Sequence, residues 1–121
     1  MAELRVTIVR AGADYSTPLL VLPLFERESK LTGIEAEVDK NLGGTIGRVL
    51  EQGDFRGRKD DVLVLYARDG GSGPQRVLLV GAGKREDYTA ERLRRCIGTA
   101  VRSAERMGIS SFAVTLAHTD R

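Results

Sequence analysis

The stretch of sequence with the clearest potential for chemistry is a glycine turn between an apolar run and a helix pattern. It reads RVLLVGAGKREDYTAERLRR over residues 76–95. A strand that leads through glycines to a helix N-terminus can bind phosphate, because free amides and the helix dipole both favour an anion there. The residues of this candidate ligand loop are Gly81, Gly83, Lys84 and Arg85.

Two known phosphate-binding patterns do not fit this turn. The Walker A pattern needs a glycine where this chain has Leu78, and a Ser or Thr where it has Arg85. The dinucleotide-binding pattern needs a third glycine, where this chain has Glu86. A structural role is the favoured interpretation, in which the glycines turn the chain tightly and Lys84 and Arg85 are solvated charges.

A second candidate is a basic face on the helix that follows the turn. Its arginines lie away from the apolar positions, and a stripe of positive charge can follow a nucleic-acid backbone. No aromatic residues are interleaved to stack on bases, and a solvated helix face is the ordinary outcome of such a pattern. The residues are Arg92, Arg95, Arg102 and Arg106, with Arg94 beside them.

The remaining reactive side chains form no catalytic pattern. Cys96 is the only cysteine, which excludes an internal disulfide and a cysteine zinc cluster, and its place beside an apolar helix face indicates a buried, inert thiol. His118 is the only histidine, and with Asp120 it could be half of a metal site, but a surface position is favoured. Asp60 and Asp61 have the pattern of solvated turn residues. The sequence therefore assigns no catalytic, metal-binding or cofactor-binding residue.

Composition is that of an ordinary small globular protein. The chain has 121 residues, of which 41% are hydrophobic and 30% charged, as is typical of one globular domain rather than a disordered or membrane protein. The net charge of +2 is too small to imply a nucleic-acid partner by itself. The start, MAELRVTIVR, lacks the apolar block of a signal peptide, so we expect a cytoplasmic protein with no membrane partner.

Hydrophobic periodicity predicts five strands. The first alternates from Leu4 to Ile8, and the second is apolar nearly throughout from Leu19 to Phe25, as expected of a central strand covered on both faces. Three more strands are predicted over DVLVLYA, QRVLLVGAG and SFAVTLA. The segment RDGGSGP between the third and fourth strands has the composition of a hairpin or loose loop.

Two helices are predicted between these strands. The first starts with the capping-box pattern TGIE at Thr32, and Gly43 with Gly44 predicts a kink or a break in it. The second has an N-cap at Thr89 and a left-handed stop at Gly108. Because the fourth strand, the second helix and the fifth strand make a crossover unit, the sequence predicts an α/β sheet with helices on its faces.

An ordered set of segments carries a family resemblance. These are LLVLPLFERESKLTG, GDFRGR, RVLLVGAGKRE and TAERLRRCIGTAVRSAERMGI. In order and spacing they resemble the amino-terminal domain of the leucyl, or cytosol, aminopeptidases over nearly the whole chain. The resemblance implies a macro-domain-like, three-layer α/β fold with a mixed sheet of about five or six strands. It also implies that residues 1–121 are the single leading domain of a protein several times longer, with a cut at Arg121.

The resemblance also implies that the chemistry lies outside this chain. The family removes N-terminal amino acids from peptides with two divalent metals, zinc or manganese, that activate a water and polarise the scissile carbonyl. The metal ligands belong to a carboxy-terminal domain, in motifs similar to TFDSGG and NTDAEGR, and neither motif occurs here. We therefore expect a non-catalytic domain that packs against the catalytic domain and helps to build a homo-hexamer.

Two other functions stay open. A free-standing macro-like module could bind ADP-ribose or a related nucleotide at the turn over residues 81–84, although the asparagine-rich ligand motif of macro domains is absent. The arginine face of the second helix could contact DNA, as the resemblance implies for some bacterial members of the family.

Overall fold

The computed structural model describes residues 4–9, 17–26, 31, 33–67 and 74–115. The helices and strands in these ranges are β1 (Arg5–Val9), β2 (Leu20–Leu24), α1 (Gly33–Asn41), α2 (Thr45–Gln52), β3 (Val62–Tyr66), β4 (Arg76–Gly81), α3 (Ala90–Met107) and β5 (Ser111–Thr115). A single 3₁₀ turn, Arg85–Asp87, lies between β4 and α3. In the part of the chain so described, no helix is long and apolar enough to cross a membrane.

The strands form one mixed sheet in the order β1-β5-β2-β4-β3. β1, β5, β2 and β4 run parallel, and β3 pairs antiparallel with β4. β2 lies in the centre and all five of its residues are buried, as its unbroken apolar sequence predicted. The predicted α/β class is confirmed, and so is the crossover unit of β4, α3 and β5, which passes over β2.

α1 and α2 cover one face of the sheet. The predicted break in the first helix is confirmed, because Gly43 and Gly44 have φ of 69° and 84° and a new helix begins at Thr45. The Asp39 carboxylate joins the two helices by accepting hydrogen bonds from the backbone N–H of Ile46 at 2.7 Å and of Gly47 at 3.2 Å. The predicted cap at Thr32 lies outside the described residues. The buried core of this face consists of Leu20, Leu22, Leu24, Ile34, Val38, Ile46, Phe55, Val77, Leu79 and Ala113.

α3 covers the centre of the opposite face. Both of its predicted ends are confirmed: the Thr89 hydroxyl accepts from the Arg92 N–H at 3.2 Å, and Gly108 has φ of 72°. Its buried side carries Cys96 and the small residues Ala100, Ser103 and Ala104. The buried core on this face consists of Leu19, Val21, Phe25, Leu78, Val80, Ala82, Cys96, Ala100, Ala104, Phe112 and Val114.

Candidate functional site

Residues 53–61, here called the strap, link α2 to β3. Phe55 anchors the strap in the core, where it is 2% exposed. Asp61 folds the strap on itself, because its Oδ2 accepts the backbone N–H of Arg56 at 3.3 Å and of Arg58 at 3.1 Å. Asp60 is exposed and the Asp61 side chain is 25% exposed, and Asp61 has this bonding role in addition. The strap is therefore held by hydrogen bonds to the Asp61 carboxylate as well as by the burial of Phe55.

The glycine turn after β4 uses its amides within the protein. The three successive N–H groups of residues 81–83 donate to the carbonyls of Asp61, Leu24 and Gly57 at 2.8, 2.9 and 2.9 Å. The strap and the end of β2 thus supply all three acceptors. A phosphate bound at these amides would have to replace existing hydrogen bonds, since each N–H is a single donor. The predicted ligand loop stays a prediction, and its backbone geometry favours the structural role.

Two glycines allow the strap to approach the sheet closely. A Cβ at Gly81 would lie 1.8 Å from the carbonyl oxygen of Arg58, and a Cβ at Gly57 would lie 2.5 Å from that of Phe25. Real Cβ atoms do not occupy such positions, so both sites require glycine. Two separated parts of the sequence, GDFRGR and GAG, are therefore parts of one contact that covers the carboxyl ends of β2 and β4.

The two basic residues of the turn have different surroundings. Lys84 is exposed. The Arg85 guanidinium carbon lies 4.5 Å from the centre of the Phe25 ring, a cation–π geometry, so the prediction of a solvated charge is wrong for Arg85. The Phe25 ring meets the Tyr88 ring edge-on at 4.9 Å. Arg85 therefore covers the end of the core beside the turn.

The arginines of α3 are spread along its outer side. Arg94 and Arg95 both pair with Glu91, at 2.6 and 3.3 Å, and all three side chains are more than half exposed. Arg102 donates to the Thr99 hydroxyl at 3.3 Å. The remaining members of the predicted face are the partly buried Arg92 and the exposed Arg106. Glu91 offsets part of the positive charge at the N-terminal end, and DNA contact stays a prediction.

The predicted inert thiol is confirmed in its position. Cys96 is 3% exposed and its thiol faces the Gly81 carbonyl, with an S···O distance of 3.7 Å. Burial raises the pKa of Cys96, an effect that the Arg92 guanidinium partly offsets, so the thiol is protonated and weakly nucleophilic at neutral pH. His118 and Asp120 lie outside the described residues. Among those that are described, no three His, Cys, Asp or Glu side chains are grouped to hold a metal ion.

Comparison with known protein families and sequences gives consistent matches. The model for the N-terminal domain of the cytosol aminopeptidase family matches residues 21–121. A probable cytosol aminopeptidase of Geobacter sp. (strain M21) is 38% identical over 103 residues, which are 85% of this chain and 20% of that protein. A probable cytosol aminopeptidase of Thermosynechococcus vestitus is 32% identical over 115 residues, which are 93% of this chain and 23% of that protein. The chain thus spans about a fifth of the length of these relatives.

Solved structures share the fold. A mutant of tomato leucine aminopeptidase aligns over 98% of this chain and 24% of its own, with a TM-score of 0.75 and 20% identity. The macrodomain of Mycobacterium tuberculosis DarG aligns over 89% of this chain and 74% of its own, with a TM-score of 0.60 and 16% identity. At these identities the likeness concerns the fold, and it confirms the predicted macro-domain-like arrangement.

Proposed function

This chain belongs to the cytosol aminopeptidase family, as its N-terminal domain, and we propose that residues 1–121 are a single non-catalytic domain with a structural role. The domain packs against the catalytic domain of the same polypeptide and supports assembly of the complete enzyme, for which we propose a homo-hexamer. We also propose a cytosolic location, which the relatives' name, probable cytosol aminopeptidase, supports.

One observation carries the structural role: the strap closes the carboxyl ends of β2 and β4. In α/β sheets, ligands bind outside the carboxyl ends of the strands. Here the strap carbonyls of Gly57 and Asp61 accept the amides of the glycine turn at 2.9 and 2.8 Å, and Arg58 lies in backbone contact with Gly81. At β2 and β4, the edge of the sheet suited to a ligand is therefore filled by the chain itself.

The chemistry of the complete protein is proposed to lie in the part beyond this chain. That part would hold two divalent metals, zinc or manganese, and use them to activate a water and to polarise the carbonyl of the first peptide bond. The supporting fact is length, because the chain spans about a fifth of relatives named probable cytosol aminopeptidases. On this proposal, turnover requires the complete protein.

Hydrolysis of leucyl-p-nitroanilide tests the proposal. The 121-residue chain and the complete gene product are assayed with manganese or zinc, on samples whose circular dichroism and cooperative melting show a folded protein. We expect metal-dependent turnover from the complete product alone. Turnover by the folded 121-residue chain, or two inert samples, would contradict the proposed function.

Calorimetry addresses the alternative of a nucleotide-binding module. Because the amides of residues 81–83 are used by the strap and β2, we expect no heat when ADP-ribose is added at about 1 mM, a concentration that detects binding free energies of about −4 kcal/mol. A saturating heat signal that is lost on Lys84→Ala substitution would favour the module instead.

A further inference from the structure

The edge strand β1 exposes apolar side chains on one face of the sheet. Val6 and Ile8 are 41% and 57% exposed. They pair in register with Phe112 and Val114 of β5, which belong to the core beneath α3. Residues side by side on neighbouring strands point to the same face, and successive residues point to opposite faces. Val6 and Ile8 therefore lie on the α3 side of the sheet, and we name them the β1 flank.

On the other face of β1, positions 5 and 7 have the opposite character. Arg5 and Thr7 are exposed there and are polar. A strand that is solvated on both faces has no reason to be apolar on one of them, whereas a half-buried strand alternates in this way. The alternation along β1 thus fits a strand whose α3 side is buried in the complete protein.

α3 is too narrow to cover the β1 flank. Strands are spaced about 4.8 Å apart, and a helix with its side chains is about 10 Å wide, so one helix covers two to three strands. The core beneath α3 draws on β5, β2 and β4, for example through Phe112, Val21 and Leu78. β1 lies beyond β5 at the edge of the sheet. Among the residues that the structure describes, no second helix lies beside α3 over β1.

We propose that an amphipathic helix from the polypeptide that follows β5 packs beside α3 and covers Val6 and Ile8. The proposal rests on the family membership of this chain. The matching family model is that of an N-terminal domain, and the Geobacter relative is about five times as long as the stretch it shares with this chain. An apolar helix stripe is the chemistry that fits an apolar sheet surface next to an existing helix.

The handedness of crossovers selects this face. The crossover from β4 through α3 to β5 moves across the sheet toward β1, and α3 lies on the same face as the β1 flank. Both sides of β5 are already paired, with β1 and β2. A further parallel strand reached in the same direction would lie beyond β1. Parallel crossovers share one hand in almost all proteins, so its helix lies on the same face as α3.

Cysteine labelling of the full-length protein tests whether the flank is covered. Ile8→Cys reports on the flank, and Thr7→Cys is a matched control on the same strand and the opposite, exposed face. Maleimide labelling at each site is quantified by peptide mass spectrometry, which separates it from other cysteines. We expect maleimide labelling at position 8 to be at least about tenfold slower than at position 7, because the covered thiol reacts only after local opening. Equal rates would overturn the proposal, and Val6→Cys repeats the test if Ile8→Cys does not fold.

A photo-crosslinking amino acid at position 8 identifies what covers the flank. We expect a link within one polypeptide to residues that follow β5 by no more than one crossover unit, about 30 residues. A link between two polypeptides, seen as a band of doubled mass on a denaturing gel, would overturn the proposal, and so would a link to a distant segment.

Leucyl-p-nitroanilide turnover, measured on the same samples, separates this inference from the proposed function. Turnover without protection at position 8 contradicts the inference alone. Protection without turnover contradicts the proposed function alone.

Discussion

The carboxyl edge of β2 and β4 and the β1 flank differ in what covers them. At the carboxyl edge, backbone from the strap meets backbone from β4, and the amides of residues 81–83 all have acceptors within the chain. At the flank, Val6 and Ile8 are 41% and 57% exposed although the strand is apolar on that side. At β2 and β4 the usual place for a ligand is therefore closed by the domain itself, whereas the α3 side of β1 is an apolar surface open to a contact.

The carboxyl edge of β2 and β4 is most sensitive to an added methyl group. Gly81→Ala would place a Cβ 1.8 Å from the Arg58 carbonyl oxygen, so the strap must leave β4 or the strand must move. We expect a loss of more than about 3 kcal/mol of unfolding free energy, or no folded protein, measured by urea denaturation.

The same substitution at Gly98 is the control. There the new Cβ would lie 3.7 Å from an Arg102 side-chain nitrogen, which is ordinary contact, and alanine in a helix interior is favoured over glycine by about 0.5–1 kcal/mol. We expect Gly98→Ala to raise stability. Equal stability of the Gly81→Ala and unsubstituted proteins would show that the strap is not held against β4.

Removal of the carboxylate inside the strap should have an intermediate effect. Asp61→Ala leaves the N–H groups of Arg56 and Arg58 without the acceptor that they have at 3.3 and 3.1 Å. We expect a loss of about 0.5–1.5 kcal/mol, the usual net contribution of a hydrogen bond, because water can reach these exposed N–H groups. Asp60→Asn serves as the neighbouring control, with almost no change, because Asp60 is exposed and Asn also tolerates its positive φ of 73°. Similar losses for both variants would contradict the bridging role of Asp61.

Alkaline pH should destabilise the packing of α3 beside the carboxyl edge of β2 and β4. Burial raises the pKa of Cys96 above its ordinary value of 9.0, and burial together with nearby Cys96 raises that of Tyr88 above 10.0. The folded protein thus holds these protons more tightly than the unfolded chain, so this stability is present below the ordinary pKa values and is lost as pH rises through the folded ones. We expect the unfolding free energy to fall above about pH 9, with a shallower slope for Cys96→Ser. An unchanged slope for Cys96→Ser would remove Cys96 from the explanation.

The smallest effect is expected at the β1 flank of the 121-residue chain. Ile8→Thr changes a side chain that is 57% exposed and keeps a β-branched residue in the strand. We expect the unfolding free energy of this chain to change by no more than about 0.5 kcal/mol. In the full-length protein the same substitution should cost at least about 1 kcal/mol, because the flank is then buried. Equal losses of unfolding free energy in the two proteins would contradict burial of the β1 flank in the full-length protein.

Local signals in the sequence accounted for much of the fold. The break at Gly43 and Gly44 and both ends of α3 depend on residues within one helical turn of each other, so their patterns are legible in the sequence. The central position of β2 followed from its unbroken apolar run. These features concern the backbone near the residues that signal them.

The contacts at the carboxyl edge of β2 and β4 could not be predicted in the same way. Gly57 and Gly81 meet only after the sheet has formed, and the presence of glycine does not say which backbone carbonyls it approaches. Two adjacent aspartates do not show which amides the Asp61 carboxylate accepts, and the sequence does not show that Arg85 lies over the Phe25 ring. The place of β1 beside β5 is likewise a property of the topology rather than of periodicity.

Hydrogen exchange followed by mass spectrometry compares the two regions most directly, in the 121-residue chain and in the full-length protein. We expect strong protection of the amides in residues 76–83 in both proteins. Residues 4–9 should gain protection only in the full-length protein, because additional polypeptide covers the β1 flank there. Unchanged exchange in residues 4–9, together with new protection in residues 81–87, would contradict burial of the β1 flank and would place the contact at the glycine turn.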